Sequence, residues 1–252
     1  MDWKGLFPKE NKYYETEKGI LYCGDCLKIM QSFPERMIDL VLTDPPYNIS
    51  KEVKIERKGG KFGTAKEINL DFGEWDKNQT RWIDFLPFLD SVLKPFGVII
   101  LFYDQLEIGD IGKYLREKGY QIRHVGAWVK SNPSPQARKV QWQSGLELFL
   151  IASKNKGSGH HFNYHLGQSP NYFIHSVSFP HLHPTQKPVK MMEWFISFWS
   201  FENDLIFDPF LGSGTTAVVA ESLNRRWVGI ELNEKYCEIT KKRILELKKG
   251  LF

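Results

Sequence analysis

LIFDPFLGSGTTA, residues Leu205–Ala217, joins an apolar strand, a tight glycine turn and the first residues of a helix. Gly212 and Gly214 let the backbone approach a ligand closely, because glycine lacks a side chain and adopts dihedrals closed to other residues. The helix that starts at Thr215 offers free N–H groups and positive potential at its first turn. This segment therefore predicts a ligand-binding turn within a strand–helix unit, unless the turn only closes that unit.

Strands and helices alternate along the rest of the chain. We expect strands at Ile20–Cys23, Ile38–Thr43, Gly97–Phe102, Gln121–Val129, Leu146–Ala152, Leu205–Phe207 and Trp227–Ile230. We expect helices near Cys26–Ser32, Gln79–Leu93, Leu106–Lys118, Pro188–Ser200, Thr215–Leu223 and Glu234–Lys248. The alternation predicts a doubly wound α/β fold, with a mostly parallel seven-stranded sheet and helices on both faces. No helix separates Gln121–Val129 from Leu146–Ala152, so these strands should form an antiparallel hairpin at one edge.

The bulk composition is that of a globular enzyme-sized domain. The chain has 252 residues, of which 42% are hydrophobic and 25% charged, enough to bury a sizeable core. A net charge of +4 permits a polyanionic partner without demanding one. We find no long apolar run and no signal-peptide pattern, so we expect no membrane segment. Three cysteines are typical of a reducing compartment, which predicts a cytoplasmic protein.

The glycine turn is compatible with two kinds of nucleotide ligand. GSGTTA satisfies the dinucleotide-binding glycine pattern, and Glu231 ends the next strand, where it can accept hydrogen bonds from ribose hydroxyls. A carboxylate at Asp208, just before the turn, would repel a pyrophosphate but suits the cationic amino group of a methionine moiety. An NAD-binding oxidoreductase is therefore the weaker interpretation of this segment.

A second segment, Ile38–Asn48 (IDLVLTDPPYN), is an apolar strand that ends in Asp44, Pro45, Pro46 and Tyr47. The two prolines supply no N–H groups and hold the chain extended, so their carbonyls are fixed. They should lie at the carboxyl edge of the sheet, where open α/β sheets bind ligands. A Pro-Pro turn with a capping aspartate is the structural alternative.

The residues after this strand suit chemistry on an exocyclic aromatic amine. Such an amine is a poor nucleophile, because its lone pair is delocalised into the ring. The Asp44 carboxylate and a proline carbonyl can accept both of its N–H groups and direct the lone pair at a sulfonium methyl group. Tyr47 offers a face on which an extruded base can stack. Asp44 can also take the released proton, and this chemistry needs no metal.

Together the two segments resemble the β class of DNA amino-methyltransferases, S-adenosylmethionine-dependent enzymes of the type II restriction-modification kind. Asp208–Thr215 resembles the cofactor motif of this family and Asp44–Tyr47 its catalytic motif, in the circularly permuted order. Gly24–Leu27 and His183–Pro188 match as well, and the resemblance extends from about Gly19 to Lys242. It implies a permuted Rossmann-like methyltransferase fold in one domain, residues 1–252. Within it, the resemblance implies a catalytic half at 19–152, a target-recognition insert at 153–183 and a cofactor-binding half at 184–252.

The resemblance also implies the cofactor contacts. Asp25 and the backbone at Cys26 would bind the adenine of S-adenosylmethionine, and Glu231 its ribose. Thr185 and Lys187 would lie over the methionine end, with Lys187 near its carboxylate; a solvated lysine is the alternative for Lys187. The methionine part would be held by the residues of the glycine turn and its approach: Asp208, Phe210, Gly212, Gly214 and Thr215.

Two polar segments are candidate contacts to double-stranded DNA. The residues expected to close over DNA or to bind phosphates and bases are Arg57, Lys58, Lys61, Lys154, Asn155 and Lys156. Solvated surface is the alternative for both segments. A zinc site among His160, His161, His181 and His183 is the weaker hypothesis, because no cysteine or carboxylate completes a tetrahedron.

The leading interpretation is site-specific methylation of adenine N6 in a flipped DNA base. Cytosine-N4 methylation is the alternative, but many cytosine-N4 enzymes that resemble this chain have serine in the position of Asp44. Protein-glutamine and RNA methyltransferases with a related turn have the glycine loop first, and a non-catalytic DNA-binding module would show no turnover. The resemblance further implies a homodimer and a cognate restriction endonuclease as partners.

Overall fold

The computed structural model describes residues 2–46, 80–133, 142–155, 161–177 and 186–250. Its strands are β1 (Lys12–Glu15), β2 (Gly19–Cys23), β3 (Ile38–Thr43), β4 (Leu93–Tyr103), β5 (Gln121–Lys130), β6 (Leu146–Ser153), β7 (Tyr172–His175), β8 (Leu205–Asp208) and β9 (Arg226–Glu231). Its helices are α1 (Cys26–Met30), α2 (Trp82–Val92), α3 (Ile108–Glu117), α4 (Val189–Trp199), α5 (Thr215–Ser222) and α6 (Glu234–Lys248). No helix in these ranges has the length and hydropathy of a membrane span.

The strands form one sheet in the order β1-β2-β9-β8-β3-β4-β6-β5-β7. All pairings from β2 across to β4 are parallel, so the predicted doubly wound α/β class is confirmed. Within the described ranges, the sheet has nine strands rather than the predicted seven. The two additional strands, β1 and β7, have four residues each, which is too short for a clear two-residue period.

The predicted hairpin is present, but it does not form the edge of the sheet. β5 and β6 pair antiparallel, and β6 also pairs antiparallel with β4. β7 then adds to the outer side of β5 in parallel. This strand lies in the segment 153–183, in which we predicted a target-recognition insert and no strand, so part of that segment belongs to the sheet.

The sheet separates two apolar layers. Alternate residues of one strand point to opposite faces, and in β4 Ile99 and Leu101 enter one cluster while Ile100 and Phe102 enter the other. α2 and α3 cover the first face, and α4 and α5 cover the second. Helices therefore lie on both faces, as the alternation predicted.

A charge cluster links β3 to β8 at the amino-terminal end of these strands. Asp39 is buried and accepts hydrogen bonds from Lys94 Nζ at 2.8 Å and from the Leu205 amide at 2.9 Å. His161 Nδ1 lies 2.8 Å from Asp204 Oδ2. Asp39, His161 and Asp204 hold ligand atoms within 4.8 Å of one another, but the Lys94 ammonium already binds Asp39. The cluster is therefore explained by stabilisation of the fold.

Candidate active site

The carboxyl ends of four neighbouring parallel strands bring the predicted motifs to one edge. Asp44 directly follows β3, Asp208 ends β8, Glu231 ends β9 and Asp25 follows β2. Thr43 Oγ1 donates a hydrogen bond to Asp208 Oδ1 at 2.8 Å, between residues 165 positions apart in the chain. The residue that precedes the catalytic motif is thus hydrogen-bonded to the first residue of the cofactor motif.

The glycine turn has the left-handed backbone dihedrals that its sequence predicts. Gly212 and Gly214 have φ values of 56° and 81°, in the left-handed region that favours glycine. A Cβ on Gly214 would lie 2.4 Å from Thr240 Oγ1 on α6, so a side chain there would displace the helix or the turn. α5 begins directly after Gly214, which leaves its first amides directed toward the site edge.

Asp208 is almost fully buried, with 4% of its surface exposed. Its oxygens accept hydrogen bonds from Thr43 Oγ1, from Thr216 Oγ1 at 2.7 Å and from the Phe210 amide at 3.1 Å. Burial raises the pKa of Asp208 to about 6, although the Thr216 and Thr43 hydroxyls oppose the shift. The carboxylate therefore ties β3 to the start of α5 from within the protein.

Glu231 links the glycine turn to the end of β9. Its Oε2 accepts a hydrogen bond from the Gly212 amide at 2.8 Å, and its Oε1 accepts one from the Asn233 amide at 2.8 Å. Burial raises the pKa of Glu231 to about 7, and these amides oppose that shift. Asp25 accepts a hydrogen bond from the Leu27 amide at 2.9 Å and caps α1, which begins with the buried Cys26. Glu231 and Asp25 thus lie at the ends of the neighbouring strands β9 and β2, and their contacts with the cofactor remain predictions.

Lys187 lies on the predicted catalytic residue rather than in solvent. Its Nζ forms an ion pair with Asp44 Oδ2 and another, at 2.8 Å, with Glu147 Oε2. The same Nζ lies 4.9 Å from the centre of the Phe102 ring. Only 6% of the lysine is exposed, so the solvated alternative is wrong. Its predicted contact with a cofactor carboxylate remains a prediction.

Two charged residues of the site carry no sequence motif. Glu147 stands in the otherwise apolar strand β6 and is paired with Lys130 at 2.5 Å as well as with Lys187. Arg243 on α6 is buried and donates hydrogen bonds from Nη1 to the Ser213 carbonyl at 2.6 Å and to Thr215 Oγ1 at 3.1 Å. In the sequence, each of them interrupts the apolar face of its strand or helix, and this interruption is the one pattern that could have identified them as candidates.

Several predicted residues lie outside the described part of the chain, and these are Tyr47, Arg57, Lys58, Lys61, Lys156 and Thr185. Lys154 and Asn155 are described, but the structure does not bring them to the site. The Lys154 amide donates to the Gly97 carbonyl at 2.8 Å, and its Nζ pairs with Asp90 Oδ1 at 2.9 Å. This position is at the start of the parallel strands, opposite Asp44. Lys154 is thus held at the end of α2, away from Asp44, and its contact with DNA and that of Asn155 remain predictions.

Comparison with known proteins identifies the family. A family model described as DNA methylase (N6_N4_Mtase) matches residues 38–242. The type II methyltransferase M2.LlaDCHI of Lactococcus lactis subsp. cremoris is 34% identical, over 92% of this chain and 91% of that protein. The type II methyltransferase M2.DpnII of Streptococcus pneumoniae is 32% identical, with the same coverage of both chains.

Solved structures have the same architecture. M1.HpyAVI, whose complex with S-adenosylmethionine is also solved, is 27% identical over 89% of this chain and 97% of its own, with a TM-score of 0.67. The PvuII cytosine-N4-specific DNA methyltransferase is 23% identical and shares the fold, with a TM-score of 0.72. The match covers 93% of this chain and 89% of the PvuII enzyme. With its two motifs joined at one sheet edge and a family match over most of its length, the chain belongs to the DNA methylase family.

Proposed function

We propose that this protein transfers the methyl group of S-adenosylmethionine to adenine N6 of an extruded base in double-stranded DNA, at a specific sequence. The observation that supports this most directly is the Thr43–Asp208 hydrogen bond of 2.8 Å. It puts the Asp44 turn beside the glycine turn. A group held by one turn can therefore react with a group held by the other, which is the requirement for a direct transfer.

The residues at the edge fit S-adenosylmethionine chemically. Asp25 and Glu231 supply carboxylates next to each other at the ends of β2 and β9, where they suit an adenine amine and ribose hydroxyls. The amides at the start of α5 suit a carboxylate, and Asp208 suits an amino group. Gly212 allows close backbone approach to the ligand, Gly214 and Thr215 form the start of α5, and the backbone at Phe210 and Cys26 completes the cradle. The cofactor supplies an electrophilic methyl group on sulfur.

Asp44 then acts on the acceptor amine. Its carboxylate accepts a hydrogen bond from one N–H of the amine, and the carbonyl of Pro45 or Pro46 accepts from the other. This withdraws the lone pair from the ring and directs it at the methyl carbon. As the N–CH₃ bond forms, the S–CH₃ electron pair returns to sulfur, and one amine proton leaves to Asp44 or to water. In this proposal Tyr47 stacks on the extruded base.

Adenine is proposed over cytosine because of the residue at position 44. The PvuII enzyme, which is cytosine-N4-specific, shares only the fold with this chain. The aspartate at this position is what the resemblance associates with adenine enzymes, whereas serine accompanies many cytosine-N4 enzymes. The Asp44 carboxylate can accept an N–H of either amine and so make its lone pair available. Analysis of the product nucleoside therefore decides between adenine and cytosine.

The test is transfer of label from tritiated S-adenosylmethionine to duplex DNA, followed by separation of the product nucleosides. We expect N6-methyladenine, and a loss of about a hundredfold or more in kcat for Asp44→Asn. Asp110→Asn, at an exposed position of α3, is the matched control and should keep full activity. N4-methylcytosine as product would establish the alternative, and no transfer to any DNA would overturn the proposal.

We extend the proposal to assembly and setting. The type II names of the relatives support a cognate restriction endonuclease and a cytoplasmic protein, and the resemblance implies a homodimer. Sedimentation of the purified protein measures the oligomeric state, and a mass of one chain would contradict the homodimer. Sequencing of modified bases in DNA from expressing cells would give the recognition sequence.

A further inference from the structure

A chain of four alternating charges runs from the outer strands of the sheet to the candidate active site. Lys130 on β5 pairs with Glu147 on β6 at 2.5 Å, and Glu147 pairs with Lys187 at 2.8 Å. Lys187 in turn pairs with Asp44. The side chains of Lys187 and Glu147 are 6% and 22% exposed, so the inner part of this series of ion pairs is shielded from water.

The two inner members of this series, Lys187 and Glu147, hold each other in the ionised form. Burial would lower the pKa of Lys187, but the carboxylates of Asp44 and Glu147 outweigh it and raise that pKa. Burial would likewise raise the pKa of Glu147, and the charges of Lys187 and Lys130 outweigh it and lower that pKa. A buried ion pair of this kind is weak evidence of stability, because apolar residues can often replace it without loss. Its position beside Asp44 points to a role in the reaction.

We propose that Glu147 is a positioning residue for methyl transfer, which holds the Lys187 ammonium at a fixed point and shares its charge with Asp44. This inference rests on the proposed function. With two carboxylates on one ammonium, Asp44 is oriented but only partly neutralised. It therefore keeps the accepting strength that the target amine needs. Glu147 itself acts only through Lys187.

The charged groups around Asp44 determine what each substitution does. Lys187 faces it directly, Glu147 and Lys130 lie behind that lysine, and Asp208 faces it from β8. Without Glu147, the ammonium of Lys187 is left to Asp44 alone. Without Lys187, Asp44 faces the carboxylates of Glu147 and Asp208. The two changes therefore perturb the ionisation of Asp44 in opposite directions.

The experiment compares Glu147→Gln and Lys187→Gln with the wild-type protein, using the pH dependence of kcat for DNA methylation. We expect kcat to fall about tenfold or more in each variant, with the KM for S-adenosylmethionine in Glu147→Gln changed by less than about twofold. The acid limb of the kcat profile should move to lower pH in Glu147→Gln and to higher pH in Lys187→Gln. Glu117→Gln, at an exposed position of α3, should leave the profile unchanged.

The outcomes separate the inference from the function on which it rests. An active wild-type protein with an unchanged profile in Glu147→Gln overturns the role of Glu147, as does a loss of kcat without any shift of the acid limb. A wild-type protein that transfers no methyl group to DNA means that the proposed function has failed. If Glu147→Gln does not fold, Lys130→Gln tests the same chain from its outer end. Its acid limb should move to higher pH, and an unmoved limb overturns the inference.

Discussion

Asp208 is a buried carboxylate whose hydrogen-bond donors are all neutral, namely two hydroxyls and one amide. This is an unusual environment for an ionisable side chain. The hydrogen bonds connect three parts of the site: the end of β3, the glycine turn and the first turn of α5. A carboxylate that is buried in this way costs folding free energy while it joins the catalytic and cofactor motifs. Such an exchange of stability for activity is common at functional sites.

The first prediction concerns Asp208→Asn. The pKa of Asp208 is raised from 3.8, its value in the unfolded chain, to about 6 in the folded protein. Protonation of Asp208 therefore stabilises the folded protein. This contribution is complete below about pH 3.8 and is lost as the pH rises through about 6. At pH 8 the ionised side chain of Asp208 therefore destabilises the folded protein. Replacing it with the neutral side chain of asparagine should raise the free energy of unfolding by about 1–3 kcal/mol. We expect S-adenosylmethionine to bind more weakly.

Urea unfolding and calorimetry measure these two effects, with Asp110→Asn as the control. The gain in stability should shrink as the pH is lowered toward 4, because Asp208 of the wild-type protein then becomes protonated. A variant that is less stable than wild type at pH 8 would mean that the ionised carboxylate is a net stabilising group.

At the scale of single residues, sequence reasoning succeeded where a residue belongs to a motif. Asp44, Asp208 and Glu231 follow or end apolar strands at recognisable spacings, and the fold brings them to one edge. Glu147 and Arg243 escaped prediction because their significance comes from partners that are distant in the chain. Nothing next to Glu147 in the sequence indicates Lys187, and the fold alone places the two 2.8 Å apart.

At the scale of elements, β7 depends on the absence of a side chain on its neighbour β5. A Cβ on Gly126 would lie 2.2 Å from the Asn171 carbonyl oxygen and 2.3 Å from Phe149 Cζ. The Asn171 carbonyl accepts a hydrogen bond from the Ala127 amide at 3.1 Å. Gly126 therefore allows the segment before β7 to approach β5 and start the pairing.

We predict that Gly126→Ala lowers the free energy of unfolding by about 2–3 kcal/mol, because the added methyl group must displace backbone or a buried ring. Gly109→Ala on α3 is the control, since a Cβ there meets nothing within 4 Å. That change should be neutral or slightly stabilising, because alanine favours a helix over glycine. Equal stability of the two variants in urea unfolding would contradict the close approach of β7 to β5.

Several elements lie within one residue of the predicted bounds, but β4 begins at Leu93, four residues before the predicted Gly97, and α2 begins at Trp82, three residues after the predicted Gln79. α6 has the predicted bounds, and β3 does too, because each has a clear apolar pattern and polar or special residues at its ends. β1 and β7 were missed because four-residue edge strands are defined by their pairing. The hairpin was misplaced for the same reason, since its outer neighbour was not predicted.

At the scale of the whole molecule, one sheet contains strands of both the proposed cofactor-binding half and the proposed catalytic half. Ligands that bind the folded protein alone stabilise it by mass action. We predict that S-adenosylmethionine at about 100 times its Kd adds about 2.7 kcal/mol to the free energy of unfolding. NADH at the same concentration should add nothing, because Asp208 disfavours a pyrophosphate. Thermal unfolding with each ligand measures this, and a larger shift with NADH would favour the oxidoreductase.

The order of the motifs predicted the permuted topology, but sequence did not predict how tightly its parts are joined. The glycine turn touches the catalytic strand through Thr43 and Asp208, and Arg243 of α6 supports the turn from behind. The Thr43–Asp208 hydrogen bond crosses between the two halves of the chain, whereas the contacts of Arg243 lie within the second half. The first of these depends on β8 lying next to β3, a placement that no local pattern reveals.

The strand order also determines when the sheet can form as the chain is synthesised. β2 and β3 belong to the first fifty residues, but β9 and β8 stand between them. A nascent chain that ends before Leu205 thus has a gap two strands wide in the middle of its sheet, with apolar edges on either side. Such edges are prone to aggregation. Both β8 and β9 must be translated before the gap can close, so chains that lack them should be inactive and should depend on chaperones to stay in solution.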